Sequence, residues 1–328
     1  MKQEVWGCLP DGRQVSLYTI ENECVRVTVS DLGATVTALS LPDRQGKWSD
    51  VALGFDAPEN YLTMPGNLGA TIGRYAGRIA NGRFPLNGGA VQLVCNRGRH
   101  AIHGGPDGFH RRLWTLEEFE ETRIVLRLVS PDGDQGFPGT LTCRTALNLA
   151  GDRLTMEFWA QSDQDTVCSL TSHTYWNLAG HSSGTVDAHV LLVDADTCLE
   201  TDAETIPTGK ILPFGLLKHG AVLKTVEADH TLVFKKDGGL NFAARLEEPE
   251  SGRWMELFTD LPGLQVYTGD HLPEGMFGKN GAVYGPRSGV CLEPQSWPDS
   301  PNHPHFPSTL LRAGETLHHT ICWRFGVK

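Results

Sequence analysis

Hydrophobic and polar residues alternate in steps of two along much of this chain. In residues 123–130 the alternation puts Ile124, Leu126 and Leu128 on one face, and near the C-terminus Leu317, His319, Ile321, Trp323 and Phe325 repeat it. A period of two belongs to an extended strand with one buried face. Further runs at 24–29, 140–149, 153–160, 186–193, 254–259 and 264–268 read as strands. Segments 84–90 and 149–153 carry the Gly and Asn residues that tight hairpins need for positive φ. Apolar stripes at three-to-four spacing are scarce, and 58–62, ahead of Pro65, leaves room for one short helical turn. The pattern predicts an all-β protein.

Glycine (37) and proline (19) punctuate these runs throughout, above the usual combined share of about 12%. No Pro- or Ser-rich linker, low-complexity run or charge block marks a boundary, so residues 1–328 are expected to form one domain, a large antiparallel β-sandwich. No fixed-period repeat suggests a propeller. The balance of 40% hydrophobic and 20% charged residues is that of a soluble globular protein. With 28 Lys and Arg against 39 Asp and Glu, a net charge of -11 opposes attraction to nucleic acid or to anionic membranes. A small neutral ligand is the better expectation. No apolar run reaches the roughly 18 residues of a membrane span, and the first residues do not resemble an export signal. Eight cysteines without a C-x-x-C pair read as free thiols, and a cytoplasmic location is expected.

There is no G-x-G-x-x-G opening a helix, no phosphate-binding P-loop, no H-E-x-x-H and no G-x-S-x-G, so nucleotide cofactors, zinc hydrolysis and serine-hydrolase chemistry lose support. Four segments remain. In 69–82, Arg74 and Arg78 stand among small residues, where fixed guanidinium donors can bind neighbouring hydroxyls or serve as ordinary surface ion pairs. His103 precedes two glycines, and His173 lies among Thr171, Ser172, Thr174 and Tyr175. An imidazole carries protons near neutral pH, although among 13 histidines structural roles are common, and His303, His305 and His319 are assigned such roles. In 289–299, Glu293 ends an apolar run, where burial would raise its pKa toward that of a useful base; exposure at a sheet edge is the alternative.

Taken in order, these segments, with Leu264 to Asp270, Lys279 to Tyr284 and Pro301-Asn302, resemble the aldose 1-epimerase (galactose mutarotase) family along nearly the whole chain. The resemblance implies a galactose mutarotase type of sandwich, an open sugar cleft, an aldose substrate, and neither cofactor nor metal. It also implies roles: Glu293 as general base, His173 as general acid, His103 as a supporting histidine, and Arg78, Asp229 and Gln265 as hydroxyl binders. Tyr175, Trp176 or Trp297 would offer an apolar wall. Two positions depart from the family pattern, with Gly77 where many members have Asn and Pro294 where many have Thr. A hexose 6-phosphate epimerase would need an added cationic pocket, for which Arg74, Arg97 and Arg99 are the candidates. A non-catalytic sugar binder on the same fold would be expected to lack Glu293 or His173. The assembly is expected to be a monomer or a homodimer.

Overall fold

The computed structural model describes residues 1–235 and 238–328. Three antiparallel sheets carry the architecture. The first is a five-stranded meander in chain order: Lys2–Cys8, Gln14–Glu21, Arg26–Ser30, Thr35–Pro42 and Trp48–Asp50. The second has nine strands and is built around the long neighbours Leu141–Ala150, Arg153–Ser162 and Thr316–Val327. The third has six strands in the order Tyr175–Trp176, Val290–Gln295, Gly263–Tyr267, Asp229–Val233, Thr197–Thr201 and Pro207–Pro213.

Local chemistry accounts for the hairpins. Arg83–Leu86 pairs with Gly89–Gln92 across a two-residue loop in which Asn87 and Gly88 take φ of 50° and 77°. That pair of left-handed residues matches the twist of the flanking strands. The predicted helical turn is the α-helix Pro58–Thr63, with proline in its first turn, where a missing N–H costs no bond.

One core joins the three sheets. Ile20, Val27 and Leu39 of the first, Leu126, Leu147 and Phe158 of the second, and Leu232, Leu264 and Leu292 of the third belong to a single buried cluster. Trp176 of the six-stranded sheet packs on Trp323 and Phe325 of the nine-stranded sheet, with ring centroids 5.8 and 6.1 Å away. Each such side chain contributes roughly 1.5–3 kcal/mol through removal from water.

The expected strand at 186–193 is shorter, Val190–Val193. Its first half is diverted because His189 is buried and its Nε2 accepts the Leu178 N–H at 2.9 Å, while Asp187 pairs with Arg287 at 2.6 Å. Both contacts require a bend where a straight strand would point elsewhere. Among the described residues, no helix is long and apolar enough to cross a membrane.

Candidate active site

Alternation along three neighbouring strands builds the floor of a cleft. In Val290–Gln295, Val290 and Leu292 face the core, so Cys291, Glu293 and Gln295 face the other way. Gln265 lies directly across from Glu293, and Tyr267 from Cys291. One strand further, Thr231 faces Gln265 and Asp229 faces Tyr267. Glu293, Gln265 and Asp229, far apart in sequence, thereby share one surface. The proline after Glu293 is accommodated because the short partner Tyr175–Trp176 pairs only with Val290 and Cys291, which leaves one flank at Pro294 with no ladder bond to lose.

His173 enters from the loop between Thr171–Ser172 and Tyr175–Trp176. Its backbone is fixed on both sides, by its own N–H to Ala70 O and by the Gly69 N–H to its carbonyl, each at 2.9 Å. The ring stacks on Tyr175 with centroids 5.2 Å apart, and Nδ1 lies 3.5 Å from Cys291 Sγ. Nε2 therefore points at Glu293, 3.7 Å from Oε1.

His103 completes the wall, its ring 5.3 Å from that of His173 in an edge-on arrangement. It occupies a left-handed turn, with φ of 53°, just after the bridge between Ala101–Ile102 and Arg78–Ile79. Its N–H donates to Gly77 O at 3.0 Å, and its Nδ1 accepts the Gly77 N–H at 3.3 Å. With Nδ1 occupied as an acceptor, neutral His103 carries its proton on Nε2. Gly77 itself has φ of 77°, and a Cβ there would meet the Pro298 ring at 2.8 Å. The Asn-to-Gly departure thus sits where Pro298 already fills the space beside the backbone.

A second row of polar groups faces the same cavity. Gln265 Nε2 donates to Asp229 Oδ1 at 2.6 Å, and Thr231 Oγ1 donates to Gln265 Oε1 at 2.6 Å. Arg78 Nη2 lies 3.9 Å from Asp229 Oδ2, and its buried Nε has no partner among the described residues. The cavity holds about 310 Å³ and is also lined by Asn67, Arg97, Tyr175, Tyr267 and Gln295.

Burial governs the electrostatics. Glu293 is 2% exposed, and its Oε2 has no hydrogen-bond partner among the described residues. Loss of water pushes its pKa well above the carboxylate range, Asp229 adds to the rise, and Arg78 opposes it. The same loss of water drives His173 down to about 4 and His103 well below the usual imidazole value. His173, Cys291 and Glu293 offer nitrogen, sulfur and oxygen donors within 4.8 Å of one another, a set of the kind that zinc takes. Burial also raises the Cys291 thiol well above its usual value.

All six residues singled out by the sequence, Glu293, His173, His103, Arg78, Asp229 and Gln265, line this one cavity. Arg74 does not. Its guanidinium is buried and donates to Ser130 Oγ and to the carbonyls of Ser130, Pro131 and Pro138 at 2.8–2.9 Å, which makes it a staple between loops. Of the three candidate wall aromatics only Tyr175 lines the cleft; Trp176 is in the core, and Trp297 packs on Phe306 with centroids 4.9 Å apart. Tyr267 and Gln295 were missed, although the period of two places them beside Gln265 and Glu293. His305 bonds Gly209 O at 2.8 Å, and His303 and His319 sit 3.3 and 3.7 Å from Asp299 and Asp260, away from the cleft.

Comparison with known proteins agrees with the geometry. The family model described as aldose 1-epimerase matches residues 16–323. The chain belongs to the aldose 1-epimerase family. It is 40% identical to human galactose mutarotase over 98% of both chains. Among solved structures, an aldose epimerase homologue from C. elegans superposes with a TM-score of 0.90 at 29% identity, covering 95% of this chain and 98% of the other. Galactose 1-epimerase from Lactobacillus acidophilus gives 0.85 at 25% identity over 100% and 99%. The fold is that of the galactose mutarotases, and the family's chemistry is that of an isomerase acting on carbohydrates.

Proposed function

We propose that this aldose 1-epimerase interconverts the α and β anomers of hexoses such as glucose and galactose, with Glu293 as general base and His173 as general acid. The observation that carries the assignment is the 3.7 Å approach of His173 Nε2 to a Glu293 carboxylate that is buried and, among the described residues, unpartnered at Oε2, at the edge of a sugar-sized cleft.

The chemistry follows from moving one proton on and one proton off. Glu293 takes the proton of the anomeric hydroxyl, C1=O1 forms as the C1–O5 bond breaks, and His173 gives its Nε2 proton to O5. Rotation about C1–C2 presents the other aldehyde face, and the transfers reverse. Closed-ring attack needs the pair as carboxylate and imidazolium; the open chain leaves it as carboxylic acid and neutral imidazole. Both forms hold one proton, so turnover exchanges no proton with water. Burial favours the uncharged pair, the form that faces the open-chain sugar, and so lowers the cost of the ring-opened stage. General acid and base catalysis of this kind contributes typically about 10²–10⁴ in rate per group. His103, as an Nε2–H donor, supports the charge that develops on oxygen, while Arg78, Asp229 and Gln265 hold the remaining hydroxyls.

Two further readings support this picture. The cleft draws on residues from 65 to 298, and one core joins all three sheets, which favours a single domain over 1–328. All eight cysteines are free, in keeping with a reducing, cytoplasmic setting. A phosphorylated hexose is disfavoured: Arg74 is a buried staple, Arg99 pairs with Glu204 at 2.5 Å, and only Arg97 of that trio lines the cleft. Polarimetry with α-glucose, α-galactose and glucose 6-phosphate tests the assignment. The neutral hexoses are expected to equilibrate far faster than without enzyme, and a preference for the phosphate ester would overturn it.

A further inference from the structure

Gln295 is a polar residue of the cleft to which neither the base, the acid nor the hydroxyl row gives work. Its side chain is 1% exposed, it lines the cavity, and its Oε1 has no hydrogen-bond partner among the described residues. An amide oxygen removed from water without a partner costs about 1–3 kcal/mol, so a native fold retains one there when something else supplies the bond. Its Nε2 end lies against the Gly77 backbone, 3.4 Å from where a Cβ would stand. Pro298 occupies the rest of that space, so the amide is held in place at the cavity wall.

We propose that Gln295 binds the C2 hydroxyl of the pyranose, an inference that rests on the acid and base assignment above. The argument is one of direction along a strand. Cys291, Glu293 and Gln295 follow one another on the cleft face of Val290–Gln295, about 6.6 Å apart at each step. His173 is at the Cys291 end, with Nδ1 3.5 Å from that sulfur and its stacking partner Tyr175 paired with Cys291. The anomeric carbon has three heavy neighbours: O1, O5 and C2. With Glu293 at O1 and His173 at O5, the ring oxygen lies toward Cys291. C2 then leaves C1 on the opposite side, toward Gln295. An amide accepts from a hydroxyl through Oε1 or donates to it through Nε2, so the contact survives either orientation of the group.

Gln295 is therefore a substrate-binding residue that senses the hydroxyl at C2, the carbon whose bond to C1 must rotate during turnover. The test compares kcat/KM for glucose, 2-deoxyglucose and 6-deoxyglucose, each relative to its own uncatalysed rate, in the natural protein and in Gln295→Leu. One hydrogen bond corresponds to about a threefold to tenfold preference. The natural protein is expected to favour glucose over 2-deoxyglucose by that factor, and Gln295→Leu to bring the two within about twofold while leaving the ratio to 6-deoxyglucose unchanged. Gln295→Met gives the same comparison if the leucine variant does not fold, as judged by circular dichroism. An equal loss for all three sugars would overturn the proposal and make Gln295 a packing residue. Absence of acceleration by the natural protein would instead refute the reading of the cleft itself, so the two failures are distinct.

Discussion

In the proposed mechanism Glu293 and His173 share one proton, with 3.7 Å between their nearest atoms and both removed from water. The reactive pair holds one proton. In acid a second proton arrives, Glu293 is no longer a base, and kcat/KM falls; His173, driven down to about 4, resists that second proton until the solution is well below neutrality. In alkali the single proton leaves and the acid is lost, and the raised pKa of Glu293 moves that limb upward. A plot of kcat/KM against pH is expected to be flat through neutrality with two falling limbs. Activity rising steadily into alkali would mean that no acid takes part. Residue types alone made Glu293 and His173 candidates, but their burial was not legible, because it depends on strands more than a hundred positions apart closing over them.

Elements decide which candidates become a site. The alternation at 264–268 and around Glu293 was legible because each strand has one apolar face, and it predicts which side chains share the cleft. The two arginines four positions apart were not separable by residue type and setting, since both stand among glycines and alanines, and only the family resemblance singled out Arg78. In the fold, Arg74 leaves toward the loop at Ser130 to Pro138, while Arg78 lies on the bridge to Ala101–Ile102 and faces Asp229. Two substitutions express the difference. Arg74→Ala strands three carbonyls and is expected to destabilise the protein by roughly 2–4 kcal/mol, read in urea unfolding, with KM for glucose little changed. Arg78→Ala is expected to raise KM tenfold or more while shifting the unfolding midpoint only slightly. The reverse pattern would exchange their roles. The shortened strand at Val190–Val193 was hidden for a related reason: His189 bonds to Leu178, a partner 11 positions away that no local pattern announces.

At the scale of the molecule, the charge that folding excludes from the interior should appear as pH-dependent stability. His189 is buried, and loss of water lowers it to about 4. The unfolded chain takes up this proton near the ordinary imidazole pKa of about 6.5, whereas the folded chain refuses it until about pH 4. Its contribution is therefore fully present above that window and lost as pH falls through it, at about 1.4 kcal/mol per unit. Urea titrations of the natural protein and His189→Gln between pH 7 and 4 should differ in slope by that amount, the variant losing less; parallel slopes would show that His189 is charged in the fold. The all-β class was legible because alternation recurs from end to end. The three-sheet arrangement was not, since sequence shows which residues face inward but not which sheet they meet.

The central claim is that a buried carboxylate takes the anomeric proton, and replacing that carboxylate by its amide tests it most directly. Glu293→Gln keeps the size of the side chain, so the fold and KM for glucose should be nearly retained. Polarimetry at matched protein concentration is expected to show kcat for α-to-β conversion reduced by about 10²–10⁴, in keeping with the loss of the general base. A Glu293→Gln protein that equilibrates glucose within a few-fold of the natural rate would contradict the account.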